Sequence, residues 1–385
     1  MRKNLGRFGT LLAVLLFLGL FLTLFLVKKE DSTVVNTVGT SQSSSEVSAK
    51  EKVVSQYLNQ MTLEEKVGQM IFARMPLTGQ AEMLETYHFG GYILFASDFE
   101  GKTLEQVKEE IASYQSLSKV PLLMASDEEG GTVTRISQLL ETPFASPLEL
   151  YQAGGIEAIL LDAKQKTSLL KEEGIYAGFF PVADLSTDPS SFIYDRTIGQ
   201  DAKTTADYIG QLVSLLKEEQ FASTLKHFPG YGDNADSHTD LVYDNRSLEE
   251  LRANDFLPFK AGIEAGADSI MVSHNIVPAI DDVPSSISPE INKILRNELG
   301  FEGVIMTDDF DMQGLVQFVD QDTGALQTIQ AGTDMILSSS YASQVPYIVE
   351  QVKNGTITEE RINQSVKRIL GMKYDLGLIQ YNTEQ

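Results

Sequence analysis

Two stretches of this chain gather residue types that move protons or attack carbon. The first runs Lys226-His227-Phe228-Pro229-Gly230-Tyr231-Gly232-Asp233-Asn234-Ala235-Asp236-Ser237-His238 and holds two of the chain's four histidines. One Pro and two Gly make it a loop leaving the short apolar run Phe221 to Leu225. Asp236 and His238 are two residues apart, so in extended backbone both side chains leave the same face. A carboxylate can then hold one imidazole nitrogen while the other faces a substrate, which suits general acid–base work. A lone Asp-x-His is more often a solvated loop. Lys226-His227 at the strand end and the glycine-rich path between them favour function.

The second stretch is Gly303-Val304-Ile305-Met306-Thr307-Asp308-Asp309-Phe310-Asp311-Met312. A buried strand here delivers Asp308, a group able to attack a sugar's anomeric carbon. At least one of Asp309 and Asp311 is expected to cap a following helix. An aspartyl-phosphate phosphatase is disfavoured, because Met312 and Gln313 stand where a hydroxyl residue is wanted. A hard-cation site built from the three Asp is a further reading. In a third stretch, Ser126 to Arg135, a Gly130-Gly131 pair permits close backbone approach and Asp127 can accept two hydroxyl hydrogen bonds. A structural turn explains that segment equally well. Arg196, taken singly, reads as a salt-bridged loop residue.

The elements that must position these groups alternate. Short apolar runs at residues 69–72, 91–95, 121–125, 177–181, 221–225, 269–272, 303–306 and 334–337 read as strands. Helix-periodic segments separate them, most clearly 104–115, 156–173, 204–219, 247–264 and 288–299. A helix near 50–59 precedes them, followed by Thr62-Leu63-Glu64-Glu65 as a capping box. Strand–helix alternation means a parallel sheet, and eight units suit a (β/α)8 TIM-like barrel. An open doubly wound sheet permits the same pattern. Polar residues decide between them: Asp127, Asp184, Lys226, His227, His274 and Asp308 all fall near strand ends, which converge only in a barrel.

The chain has 385 residues and no Cys, which excludes disulfides and thiol chemistry. Its formal charge is −24. Five basic residues precede Glu30; the remaining 54 acidic against 25 basic residues leave −29, which repels nucleic acid. Thr10 to Val27 is an uncharged apolar run of 18 residues flanked by Arg2, Lys3, Arg7, Lys28 and Lys29. It reads as a transmembrane signal anchor within residues 1–29, with the body exported. No small-residue cleavage site ends the run, so cleavage and secretion are the lesser reading. Residues 30–50 are Ser/Thr-rich and read as a flexible linker, with one catalytic domain over 51–385.

Taken together, the stretches resemble the family 3 glycoside hydrolases, in their β-N-acetylglucosaminidase branch. The resemblance rests on Met61–Gln69, Gly90–Phe95, Asp127–Arg135, Lys226-His227-Phe228-Pro229-Gly230, Asp236-Ser237-His238, Met271–His274, Thr307-Asp308-Asp309 and Arg368–Gly377. It implies Asp308 as nucleophile and His238, held by Asp236, as acid and base. It implies Asp127, Arg135, Arg196, Lys226, His227 and His274 around an N-acetylated sugar, with no cofactor and no metal. Two positions depart from the family: Tyr231 stands where His is common, and Thr132 where Arg is. The first implies a change in loop packing, the second a change in which aglycone is accepted.

The expected activity is therefore retaining release of terminal β-linked N-acetylglucosamine from peptidoglycan fragments or related glycans. A monomer tethered at the outer membrane face is expected. Three other readings stay open: a β-glucosidase or broader β-glycosidase, a catalytically silent sugar-binding protein, and a metal-dependent barrel hydrolase.

Overall fold

A computed structural model describes residues 38–381 other than Met75 and Leu77, with side chains from Ala49 onward. The chain divides at Lys52/Val53 into two units, and the second holds the barrel and its cavity. The expected anchor, Thr10 to Val27, lies outside the described residues. Among those described, no helix is long and apolar enough to cross a membrane. The expected tether differs in its described part: helix Val38–Gln60 includes residues 38–50. Val53, Val54 and Leu58 are buried on its C-terminal half. Once that half is packed, each added turn extends an existing helix instead of nucleating one, so a polar Ser/Thr segment can follow.

Eight parallel strands follow: β1 Ile71–Arg74, β2 Gly91–Leu94, β3 Leu123–Ser126, β4 Ala177–Gly178, β5 Thr224–Phe228, β6 Ser269–Val272, β7 Val304–Asp309 and β8 Met335–Ser338. They pair in the order β4-β3-β2-β1-β8-β7-β6-β5. The remaining seam, β4 against β5, is made by isolated bridges, Ala177 with Ala222 and Val182 with Lys226. There the Gly178 and Ala183 N–H groups donate to the Ala222 and Lys226 carbonyls at 2.9 and 2.7 Å. An eight-stranded TIM-like barrel results, and the open doubly wound sheet is set aside. β2, β3, β6 and β8 are buried at every position, which is why they read as continuous apolar runs and not as alternating ones. Gly90 leads into β2 where backbones nearly touch: a Cβ there would lie 2.0 Å from the Gln69 carbonyl oxygen.

The outer helices start where local chemistry predicts. Thr62 with Glu65, Thr103 with Gln106 and Ser146 with Glu149 form reciprocal capping boxes. The expected helix over 247–264 is instead two, Leu248–Ala253 and Phe256–Ala265. Pro258 offers no N–H to the Asn254 carbonyl, so it sits in the first turn of a new helix. The expected helix over 288–299 changes pitch, Pro289–Lys293 leading into a wider turn over Ile294–Glu298.

Below the mouth, β8 is tied to its surroundings by the fully buried Asp334 just before it. Its carboxylate accepts from Arg296 at 2.6 Å, Arg368 at 3.1 Å, the Ser365 hydroxyl at 2.6 Å and the Ile305 N–H at 3.0 Å. Burial pushes the Arg296 guanidinium down to about 10 against the pull of Asp334, so it stays charged at neutral pH and leans on this partner. Asp334→Ala should therefore cost about 3 kcal/mol or more in urea unfolding, since it strands a mostly buried cation. A change under about 1 kcal/mol would mean that Arg296 finds water instead.

Candidate active site

The C-terminal strand ends open into a cavity of about 470 Å³. Asp127, Arg135, Arg196, Lys226, His227, Asp236, His238 and Asp308 all line it, so eight of the nine residues singled out from the sequence meet there. Lys226 and His227 are neighbours, and regular pleating would send them to opposite faces. They share the cavity because β5 advances three residues, Leu225 to Phe228, while β6 advances two, Ile270 to Val272. β7 does the same against β8, Met306 to Asp309 opposite Met335 to Leu337, and Asp308 and Asp309 both reach the cavity. One extra residue on one strand re-aims the side chains beside it.

On the β3–β5 side lies a dense charge network. Lys226 Nζ donates to Asp127 Oδ1 at 2.6 Å and meets Glu129 Oε1 at 2.5 Å. Arg196 grips Glu129 with two bonds of 2.9 and 2.8 Å, its planar fork matched to the carboxylate. Burial opposes charge on Glu129, but Arg196 and Lys226 outweigh it and hold the carboxyl far below its usual range. Arg135 lies 3.9 Å from Asp127 Oδ2. His227 is oriented by Asp184, whose Oδ2 lies 2.7 Å from Nδ1 and also accepts the His227 N–H at 3.0 Å. With Nδ1 turned to Asp184, His227 Nε2 faces the Arg196 guanidinium at 3.4 Å.

Asp308 is nearly buried. Its Oδ1 accepts the Asp309 N–H at 2.8 Å, while Oδ2 has no hydrogen-bond partner among the described residues. Burial disfavours its charge, yet the imidazoles of His227, His274 and His238 and the Asp309 N–H together keep the carboxyl below the ordinary value. It is thus ionised, desolvated and open on one oxygen. His238 is held through Nδ1 by Asp236 Oδ1 at 2.6 Å, and the same oxygen accepts the His238 N–H at 2.9 Å. That leaves His238 Nε2 for a substrate.

His274 does not join the cavity. It is fully buried, its Nε2 donating to the Asp309 carbonyl at 3.0 Å and its Nδ1 accepting from the Ser286 hydroxyl at 2.7 Å. Burial holds its pKa down against the pull of Asp308, and the ring braces the backbone beside Asp308. A strand-end histidine on the outer layer of the mouth looks the same in sequence as one facing inward. Thr132 is exposed and absent from the lining. Neither Asp309 nor Asp311 caps the next helix, Gln313–Val316, whose N-cap is Met312. Arg74 occupies both carboxylates instead, with Nη1 3.1 Å from each. Its guanidinium also lies 4.7 Å from the centre of the Phe95 ring.

Glu129, Arg74 and Phe95 thus line the cavity without having been assigned to it, and Asp309 and Asp311, expected as a helix cap or as cation ligands, line it too. Glu129 had a signal, two residues after Asp127 in a segment already singled out. Arg74 had only its place at the end of β1. Asp309 is pushed up to about 6, by burial above all and then by Asp311 and Asp308, against the pull of the Asp311 N–H and Arg74. A carboxyl that holds its proton more tightly when folded stabilises the fold below its unfolded value, 3.8, and loses that contribution as pH rises through about 6. Urea unfolding of the wild type should therefore lose roughly 1–3 kcal/mol relative to Asp309→Asn between about pH 4 and 6.5. Parallel profiles would remove Asp309 from that window.

The glycosyl hydrolase family 3 N-terminal domain matches residues 62–372. A β-hexosaminidase of Nitrosomonas eutropha is 36% identical over 255 residues, covering 64% of this chain and 73% of that protein. A β-N-acetylglucosaminidase/β-glucosidase of Cellulomonas fimi is 29% identical over 340 residues, 83% of this chain and 59% of that protein. The solved family 3 β-N-acetylglucosaminidase of a Paenibacillus species superposes with a TM-score of 0.77 at 30% identity, over 84% of this chain and 65% of that one. The chain spans less than two thirds of the last two, so their full activities are properties of longer proteins. The match runs through every strand that feeds the cavity, and the chain belongs to glycosyl hydrolase family 3 as a glycoside hydrolase.

Proposed function

We propose that this chain hydrolyses terminal β-linked N-acetylglucosamine with retention of configuration. The observation that carries the reading is the bare Oδ2 of Asp308 in a cavity it shares with the Asp236–His238 pair. Asp308 Oδ2 attacks the anomeric carbon as the bond to the leaving oxygen breaks, and His238 Nε2–H passes its proton to that oxygen. The sugar is then esterified to Asp308. His238, now unprotonated, takes a proton from a water whose oxygen attacks the same carbon, and Asp308 leaves as carboxylate. Two displacements restore the starting configuration.

Each residue's environment suits its part. Asp308 has its charge but little hydration to shed before attack. His238 is the more exposed group and keeps one nitrogen fixed on Asp236, so the other can carry the proton both ways. Asp127, Lys226, Arg196, His227 and Arg135 present charged donors and acceptors to ring hydroxyls and the N-acetyl group. The apolar anchor run at Thr10 to Val27 supports a membrane-tethered enzyme facing the cell wall, with peptidoglycan fragments as its source of substrate.

A β-glucosidase activity at the same site is the second reading, favoured by the double name of the Cellulomonas fimi relative. Aryl β-N-acetylglucosaminide and aryl β-glucoside distinguish the two. Release from the first alone is expected. Asp308→Asn should abolish it, and His238→Ala should lower it about 100-fold or more for a poor leaving group. Full activity in Asp308→Asn would remove that residue from the mechanism, and equal release from both substrates would dismiss an N-acetyl-selective pocket. Release from neither would leave sugar binding without hydrolysis.

A further inference from the structure

Asp236 and His238 sit on an exposed turn, yet Ser237 between them is fully buried. Its side chain points inward while its neighbours face the cavity. The Ser237 hydroxyl is hydrogen-bonded to the phenol of Tyr231, also buried. Its carbonyl accepts the Gly314 N–H at 3.0 Å, and a Cβ at position 314 would stand 3.0 Å from that same oxygen. The turn is thus seated from below, on Tyr231 and on the helix that follows Asp308.

Tyr231 is itself firmly placed. Its N–H donates at 2.8 Å to Asp184 Oδ1, the carboxylate that orients His227 through its other oxygen. The ring stands edge-on to His227 and Phe192, each 5.1 Å away. Burial, then the negative charge of Asp308, push the phenol's pKa up, so it remains a neutral hydroxyl able to donate or accept. Gly230 and Gly232 on either side have φ of 118° and 56°, so the chain turns sharply at both and Tyr231 points down into the protein between them.

We propose that Tyr231 is a positioning residue for the acid–base pair: its phenol, acting through the Ser237 hydroxyl, holds the Asp236–His238 turn so that His238 Nε2 meets the glycosidic oxygen. The proposal rests on reading His238 as the acid. Removing the phenol oxygen leaves the Ser237 hydroxyl buried without a partner, which favours turn conformations that bring Ser237 to water and carry His238 away. Tyr231 touches no reacting atom; its effect passes through the turn.

The test uses the full chain and aryl β-N-acetylglucosaminides whose leaving phenols range from strongly to weakly acidic. Their kcat/KM covers only the steps through formation of the glycosyl–Asp308 ester, where His238 acts as acid. Dinitrophenolate departs without a proton, whereas a weakly acidic phenol needs one. Tyr231→Phe should lower kcat/KM about tenfold for the weakly acidic phenol and less than about twofold for dinitrophenol. Ser237→Ala, which keeps the phenol's packing, should give the same slope. The double variant should fall no further than either single one. A uniform loss across the series, no loss, or additive losses would overturn the proposal while a steep His238→Ala profile left the acid assignment intact. A flat His238→Ala profile would overturn both.

Discussion

Glu129 is a carboxylate taken wholly out of water, and the mouth of the barrel is arranged around keeping it charged. An isolated buried carboxylate would take up a proton; this one instead draws in Lys226 from β5 and Arg196 from the loop after β4. Lys226 in turn reaches Asp127 after β3, and Arg196 reaches His227. Three consecutive strands are therefore joined at their ends by charges that cannot separate without exposing one another. Such a network adds little net stability over an apolar core, but it has few alternative arrangements. That suits a surface meant to recognise hydroxyls at fixed positions.

Across the mouth, β7 supplies a carboxylate under the opposite condition. Asp308 Oδ2 is buried with no donor, and its negative charge is supported through space and through one backbone N–H. Its neighbours are partnered more fully: His274 is bonded at both nitrogens, while Asp309 and Asp311 share Arg74. The contrast separates roles within one row of aspartates. A group bound on all sides holds structure, and a group left open on one side can react.

The two halves meet through the turn at 236–238. It rises from the β5 side, rests on Tyr231, and its backbone is bonded to Gly314 beyond β7. The residue expected to alter only loop packing therefore lies directly beneath the Asp236–His238 pair. This could not be foreseen from position alone, because Tyr231 precedes Ser237 by six residues and only the folded turn brings the hydroxyls together.

The sequence by itself determined the eight-fold alternation, the parallel sheet and the segments that carry the chemistry. Apolar runs of strand length, capping boxes and Gly-rich breaks are local signals, set by backbone propensity and by the need to bury one face. It also brought Asp308, Asp127, Lys226 and His227 into view at strand ends, which converge in a barrel whatever the sequence between them, and Asp236 and His238 by their two-residue spacing. Only the tertiary structure decided which strand-end residues face inward. The extra residue in β5 and in β7 turns Lys226 with His227, and Asp308 with Asp309, to the same cavity against the expected alternation, while His274 on β6 stays behind it. The partners of Glu129, Arg74 and Tyr231 likewise lie 67, 237 and 6 residues away along the chain. Periodicity reports which face of an element is buried; it carries no term for a charge or hydroxyl arriving from another strand. Those pairings are settled by register and by the cost of leaving a buried polar group alone.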